Sequence, residues 1–175
     1  MIRMSMSASS IPAFEIGLSA LSGVLDKAQA YAEAKKIDPS VLLQSRLSPD
    51  MFPLVRQVQI ASDQAKNATS RLAGVEPPRH EDNETTIDEL KDRLARTLTY
   101  LKSVDSKKID ASADHDITFP LGPTNKGHMK GADYLNHFVL PNFYFHLTAA
   151  YAILRHCGVD LGKRDFLGAI PMKMT

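Results

Sequence analysis

One imidazole stands inside the most apolar run of this sequence. In LPNFYFHL, residues 140–147, His146 follows Asn142 by four positions, and Pro141 sits just ahead of both. Four residues is about one helical turn, so the amide and the ring would share a face. Imidazole titrates near neutral pH, ligates metals, moves protons and makes hydrogen bonds through two distinct nitrogens. Two roles follow. His146 is either a core histidine satisfied by Asn142 or by a carbonyl that Pro141 leaves free, or it is a catalytic, ligand-binding or metal-ligating group facing a central pocket. In the second role Asn142 orients the ligand, Phe138 helps to wall the pocket, and Phe143 or Phe145 completes it.

Other polar groups compete for attention. On VRQVQIASD, Arg56, Gln59 and Asp63 fall on one polar stripe at helical spacing. Arg56 reads as solvated; Gln59 and Asp63 read either as solvated or as lining the pocket opposite His146. LGKRDF lacks the glycine spacing and the following Ser/Thr of a phosphate loop, and reads as a tail packed through Leu161, Phe166 and Leu167. His115, between Asp114 and Asp116, reads as part of a charged turn. His80 and His128 are loop histidines without an evident role, and the methionines near both ends read as termini and not as a soft-metal site. Cys157 adjoins His156 but reads as a small filler. No GxSxG or other nucleophile–base–orienter set is present.

The elements that must position these groups are helices. Ile11, Phe14, Leu18, Leu21, Leu25, Ala28 and Ala32 recur at three and four, with Ser9 or Ser10 as N-cap. Asp38-Pro39 breaks that helix and a short apolar piece, VLLQSRL, follows. Ser48, Pro49 and Asp50 predict the start of a second helix, with Leu54, Val58, Ala61, Ala65, Ala68 and Leu72 as its stripe and Gly74 as its stop. Thr86 and Glu89 have capping-box spacing before Ile87, Leu90, Leu94, Leu98 and Leu101. Residues 105–130 lack helical period, and DITFPLG reads as a short extended segment. A fourth helix is expected over Asp133–His156, ending at Gly158 and kinked by Pro141, the one device that could bring His137 near His146. Its two sides are both apolar. Leu135, Phe138, Val139, Asn142, His146, Ala149, Ala150 and Ile153 form one, and Leu140, Tyr144, Leu147, Tyr151 and Leu154 the other. One side faces the interior; the other calls for a second element or a second subunit.

Composition narrows the classes. The chain has 175 residues, 21 basic against 20 acidic, a formal charge of +1 and one cysteine. That predicts a single domain without a disulfide and without the basic footprint of nucleic-acid binding. The N-terminus lacks the apolar core of a secretory signal, and no uninterrupted apolar stretch of bilayer length is evident, so a cytoplasmic, non-membrane protein is expected.

Five stretches carry a resemblance: RLSPDMFPLVRQVQIASDQAK, RLAG, YLNHF, LPNFYFHLTAAYAILRHCGV and LGKRDFLG. Together they resemble the family called domain of unknown function 1993, over residues 6–168, with 1–5 and 169–175 as tails. That family is similar to the wider DinB/YfiT-like group. The resemblance implies an all-α, four-helix bundle with a long connection between its third and fourth long helices, commonly dimeric. In the wider group many members hold a divalent metal (zinc, nickel or iron) on three histidines, and some transfer or hydrolyse thiol-linked groups. Carried onto this chain, His146 falls at the third ligand and Asn142 where the second should be. The helix that should supply the first offers Gln57, Gln59 and Asp63. The leading expectation is a homodimeric small-molecule-binding protein with a degenerate metal site. The alternatives are a metal-dependent transferase or hydrolase acting on thiol adducts, and a structural or interaction module without a ligand.

Overall fold

The structure, a computed structural model, describes residues 5–172; the outer parts of both tails, 1–4 and 173–175, lie outside the described residues. Helix α1 (Met6–Lys35) starts at Ser5, whose hydroxyl accepts from the Ala8 amide at 3.3 Å. Ser9 and Ser10, expected as caps, lie inside the helix instead. The Ser10 hydroxyl donates back to the Met6 carbonyl at 2.8 Å. Asp38 then caps the short α2 (Pro39–Gln44), with Pro39 in its first turn.

Helix α3 (Leu54–Leu72) begins five residues later than predicted, with Pro53 and not Ser48 as its N-cap. Ser48, Pro49 and Asp50 build a turn, the Ser48 hydroxyl donating to Asp50 at 2.6 Å. Pro53 decides the boundary: a residue before proline is disfavoured in a helix, and Pro53, itself extended, serves as the N-cap. The predicted stripe from Leu54 to Leu72 is buried throughout. Gly74, in the left-handed region, ends the helix, and the Val75 amide reaches the Ser70 carbonyl at 2.9 Å. Helix α4 (Ile87–Ser103) carries the Thr86/Glu89 capping box as read from the sequence.

The connection after α4 is the long one expected, and it adds a small sheet to a mainly-α fold. It holds the short α5 (Ser106–Asp110) and a hairpin of β1 (Asp116–Leu121) and β2 (Asn125–Lys130), antiparallel with Phe119 opposite Gly127. Ile117 and Phe119 point inward and their neighbours outward, the period-two pattern behind the extended reading of DITFPLG. NKGHMK has no such pattern, so its strand was not legible. A Cβ on Gly127 would lie 2.5 Å from the Phe119 ring. The bare backbone leaves room for that ring, which packs on Tyr134 and Phe138 at 4.8 and 4.4 Å.

The last long helix comes in three pieces: α6 (Gly131–Asp133), a π-helical turn (Tyr134–Val139) and α7 (Leu140–His156). Helix α3 packs between α4 and α7, and α1 closes the ring by touching α4 and α7. The short α8 (Lys163–Leu167) lies on α1, pinned by Lys27–Asp165 at 2.8 Å. The result is a mainly-α fold decorated with one hairpin. Over eighteen residues α1 is long and apolar enough to cross a bilayer by composition, which corrects the expectation of no such stretch. Here its Phe14, Leu18, Leu25, Ala28 and Ala32 are core side chains with no exposed surface.

Candidate functional site

The site is set by a register fault in the last helix. Pro141 has no amide hydrogen and cannot serve the carbonyl behind it. The chain meets this one residue early: Leu140 donates to Leu135, five residues back, which widens the turn. The Asn142 side chain then donates to the Phe138 carbonyl at 2.7 Å. The predicted kink is thus a π turn, and Asn142 is spent on repairing it. His137 stays on the outside, 3.8 Å from Asp133, and does not meet His146.

His146 points inward and is 8% exposed. Its Nδ1 lies 2.7 Å from Gln57 Oε1 on α3. The other end of that amide fixes the protonation: Gln57 Nε2 donates to the Phe52 carbonyl at 3.1 Å, so the oxygen must be what faces the ring. An amide oxygen only accepts. Nδ1 therefore carries the hydrogen, and Nε2 keeps its lone pair with no protein partner among the described hydrogen bonds. Burial, and then the positive Arg56 nearby, push the ring's pKa down to about 4. At neutral pH His146 is an uncharged acceptor. The Phe145 ring, 57% exposed, stands edge-on to it at 5.2 Å.

The structure does not gather the whole predicted set here. Gln57, not Gln59 or Asp63, is the α3 residue that meets His146. At 100° per residue Gln59 is carried to the far side of α3. There Gln59 donates to Glu84 at 2.8 Å and accepts from Arg56 at 3.2 Å. Asp63 pairs with Arg93 and Lys66 at 2.9 and 3.0 Å. Phe138 packs on the hairpin, and Phe143 faces Phe14 of α1 at 5.1 Å. The cavities that stand out among the described residues lie elsewhere: beside α8, at the hairpin tip and along the outer faces of α1 and α4.

Around Arg93 lies a polar centre that the sequence reading missed. Its guanidinium is fully buried and reaches Asp63 on α3, together with Asp82, Glu84 and the Glu81 carbonyl from the loop before α4. Arg56 ties Asp82 to the same cluster. His80 adjoins it, its Nδ1 buried without a partner. Burial, then Lys66, Arg93 and Arg96, hold the His80 ring at a pKa of about 4. The available signal was an arginine on the apolar stripe of α4, three residues after Leu90 and one before Leu94.

The two depressed histidines give a pH prediction. Between pH 4 and 6.5 the unfolded chain binds protons at His80 and His146 that the folded chain does not, so stability rises with pH across that window and falls on acidification. Urea midpoints measured from pH 7 down to 4.5 should decline, and His80→Gln should flatten the decline. A flat profile would contradict buried neutral rings.

A three-histidine metal site does not fit these residues. Asn142 is committed to Phe138, Gln57 to His146, and among the described residues no group of three or more His, Cys, Asp or Glu converges. One imidazole nitrogen is too few donors for zinc, nickel or iron.

Comparison with known proteins places the family and the fold. Residues 6–167 match the family described as a domain of unknown function, DUF1993. A solved DinB family member protein from Shewanella denitrificans is 43% identical, with a TM-score of 0.88 over 97% of this chain and 95% of that one. Among curated proteins nothing matches.

Proposed function

This chain belongs to the DUF1993 family, and on that premise we propose that it is a DinB-like binding protein that has exchanged the metal site for a neutral imidazole acceptor. His146 offers Nε2 to a hydrogen-bond donor on a small molecule entering between α3 and α7. The exposed ring of Phe145 gives that molecule an apolar flank, and the Asn142 carbonyl, one turn away, is a second acceptor. The single observation that supports the reading is the Phe52–Gln57–His146 chain of hydrogen bonds. It orients one nitrogen inward and leaves the other without a protein partner. A ring with a pKa near 4 is a weak base, so the chemistry favoured is recognition over proton abstraction. No reaction step is assigned.

A second reading has its own observation: the ring is nearly covered, and the cavities named above do not reach it. In that reading the pair joins α3 to α7 and nothing more. His146→Ala separates the two. As a structural pair its loss leaves Gln57 Oε1 buried without a donor and costs about 1–3 kcal/mol; as a binding group its loss leaves stability unchanged or higher. Saturation-transfer NMR with a panel of phenols and primary amides supplies the second readout. Binding by the natural chain that vanishes in His146→Ala supports recognition. Binding indifferent to that substitution, or none together with a loss of stability, rejects it.

A further inference from the structure

The loop between α3 and α4 covers polar groups that the protein itself leaves partly unanswered. The Val75 amide is tied to Ser70, Asp82 to Arg56 and Glu84 to Gln59. Residues 76–85, without helix or strand, therefore run back along α3. His80 falls between those anchors, half-exposed, in the company of Asp63, Lys66, Arg93 and Arg96.

The two ends of the Arg93 guanidinium differ there. Nη1 is served by the Glu81 carbonyl, Asp82 and Glu84 at 3.1, 3.0 and 3.0 Å. Nε and Nη2 are buried without a hydrogen-bond partner, although Nη2 lies 2.9 Å from Asp63 as an ion pair. Those two nitrogens form the edge of a guanidinium that takes two oxygens of one oxoanion side by side. Lys66 is 4% exposed, and among the described residues its ammonium has Asp63 alone as an ion partner, at 3.0 Å. An ammonium carries three donors, so hydrogens remain to be answered. The buried His80 Nδ1 has no partner either. Buried polar groups of this kind are costly unless something meets them.

Charge says what would meet them. Three cations, Lys66, Arg93 and Arg96, act on His80 against one carboxylate, Asp63, a surplus of two (3 − 1). With Arg56, Asp82 and Glu84 included, the surplus is still one (4 − 3). A positive, donor-rich groove favours an anion. Donors converge from three side chains, which suits the three oxygens of a phosphate group better than the two of a carboxylate.

We propose that the groove between α3, α4 and the His80 loop binds a phosphate group. The Nε–Nη2 edge of Arg93 and the Lys66 ammonium hold its oxygens, His80 closes over it with a ring N–H, and the exposed Arg96 stands at the entrance. The cover is loop, so the His80 ring swings outward to admit the ion. No residue of this set bonds His146 or Gln57, and the site stands or falls apart from the binding reading above.

Side-chain ¹H–¹⁵N spectra of the histidines, recorded at pH 7 while inorganic phosphate is added, test it. With chloride held at about 0.1 M, the His80 nitrogens should shift to saturation with a Kd at or below about 1 mM. Those of His146 should not move. Lys66→Gln should weaken binding about thirtyfold. Arg96→Gln, at an exposed position that leaves the fold intact, should weaken it about threefold, and carries the test if Lys66→Gln does not fold. Asp63→Asn removes the one competing carboxylate and should tighten binding about tenfold. Phenyl phosphate as a second probe tells the sources apart: binding at least as tight as inorganic phosphate assigns an ester, and weaker binding assigns the free ion. No saturation by about 10 mM phosphate, a shift at His146 in place of His80, or one affinity across all the variants overturns the site. Acetate binding as tightly as phosphate overturns the phosphate assignment.

Discussion

Arg93→Ala should destabilise the protein by about 3–5 kcal/mol, the cost of leaving buried charge unpaired. The guanidinium has no exposed surface, and its partner Glu84 is only 4% exposed in its side chain. Removing the arginine leaves the nearly buried Glu84 with Gln59 alone, takes one of two cations from Asp63, and frees the loop carrying Glu81, Asp82 and Glu84 from α4. Arg93→Lys should recover little, since one ammonium cannot stand both where Nη1 meets the Glu81 carbonyl, Asp82 and Glu84 and where Nη2 faces Asp63 as an ion pair. Replacing the whole cluster with apolar residues is a different experiment and can be nearly neutral. The prediction concerns breaking the network, not its net contribution. Chemical denaturation of the two single variants at pH 7 measures it. A loss below about 1 kcal/mol, the range of a surface ion pair, would show that the cluster is solvated.

The same cluster sets an acid limit. Burial raises the carboxyl pKa values of Asp82 and Glu84, but the bonds from Arg56 to Asp82 and from Gln59 and Arg93 to Glu84, with the charge of Arg93, outweigh it. Both groups end below their usual range. A carboxyl depressed on folding stabilises above its unfolded pKa and loses that contribution as pH falls through the folded one. This loss begins near pH 4, beneath the window in which His80 and His146 act. Acid unfolding should therefore proceed in two stages, and Arg93→Ala should weaken the lower one while Arg56 and Gln59 keep part of it.

Gly131→Ala should cost about 3 kcal/mol or more, the upper range for forcing atoms into a filled site. A Cβ there would lie 2.0 Å from the Ser112 carbonyl oxygen. That neighbour is backbone and cannot swing aside. Its position is fixed by the Gly131 amide bonding to His115 and the Ala132 amide to Ala113, both at 2.9 Å. Gly131 is where the hairpin hands over to the last helix, so displacing it also shifts the π turn, Asn142 and His146. For a chain of this size the melting temperature should fall by roughly 6–12 °C. Gly23→Ala is the control. Gly23 is exposed on α1 with nothing within 4 Å of a new Cβ, so the alanine should stabilise by about 0.5–1 kcal/mol. Equal effects at the two positions would contradict the close approach at Ser112.

The stripes of α1, α3 and α4 and the stops at Gly74 and Gly158 were legible because each rests on local periodicity or a cap. Failures came where two local signals competed or where partners were distant. Ser48-Pro49 looked like a helix start until Pro53 supplied a stronger one. Strand β2 has no apolar alternation of its own; it exists because β1 pairs with it. Within the site, His146 and its inward direction could be read from α7 alone. Gln57 could not be singled out, because choosing among Gln57, Gln59 and Asp63 needs the rotation of α3 relative to α7. The loop carboxylates around Arg93 lay nine to eleven residues upstream in an apparently featureless polar stretch.

The central claim is that Gln57 holds His146 as an uncharged ring with its hydrogen on Nδ1. Long-range ¹H–¹⁵N correlation of the histidine side chains at pH 7 reads this directly, with Gln57→Leu identifying the signal by its shift. The account predicts a neutral Nδ1–H tautomer that stays unprotonated down to about pH 5, with Nε2 resonating as a bare nitrogen. An imidazolium at neutral pH, or a hydrogen on Nε2, would contradict it.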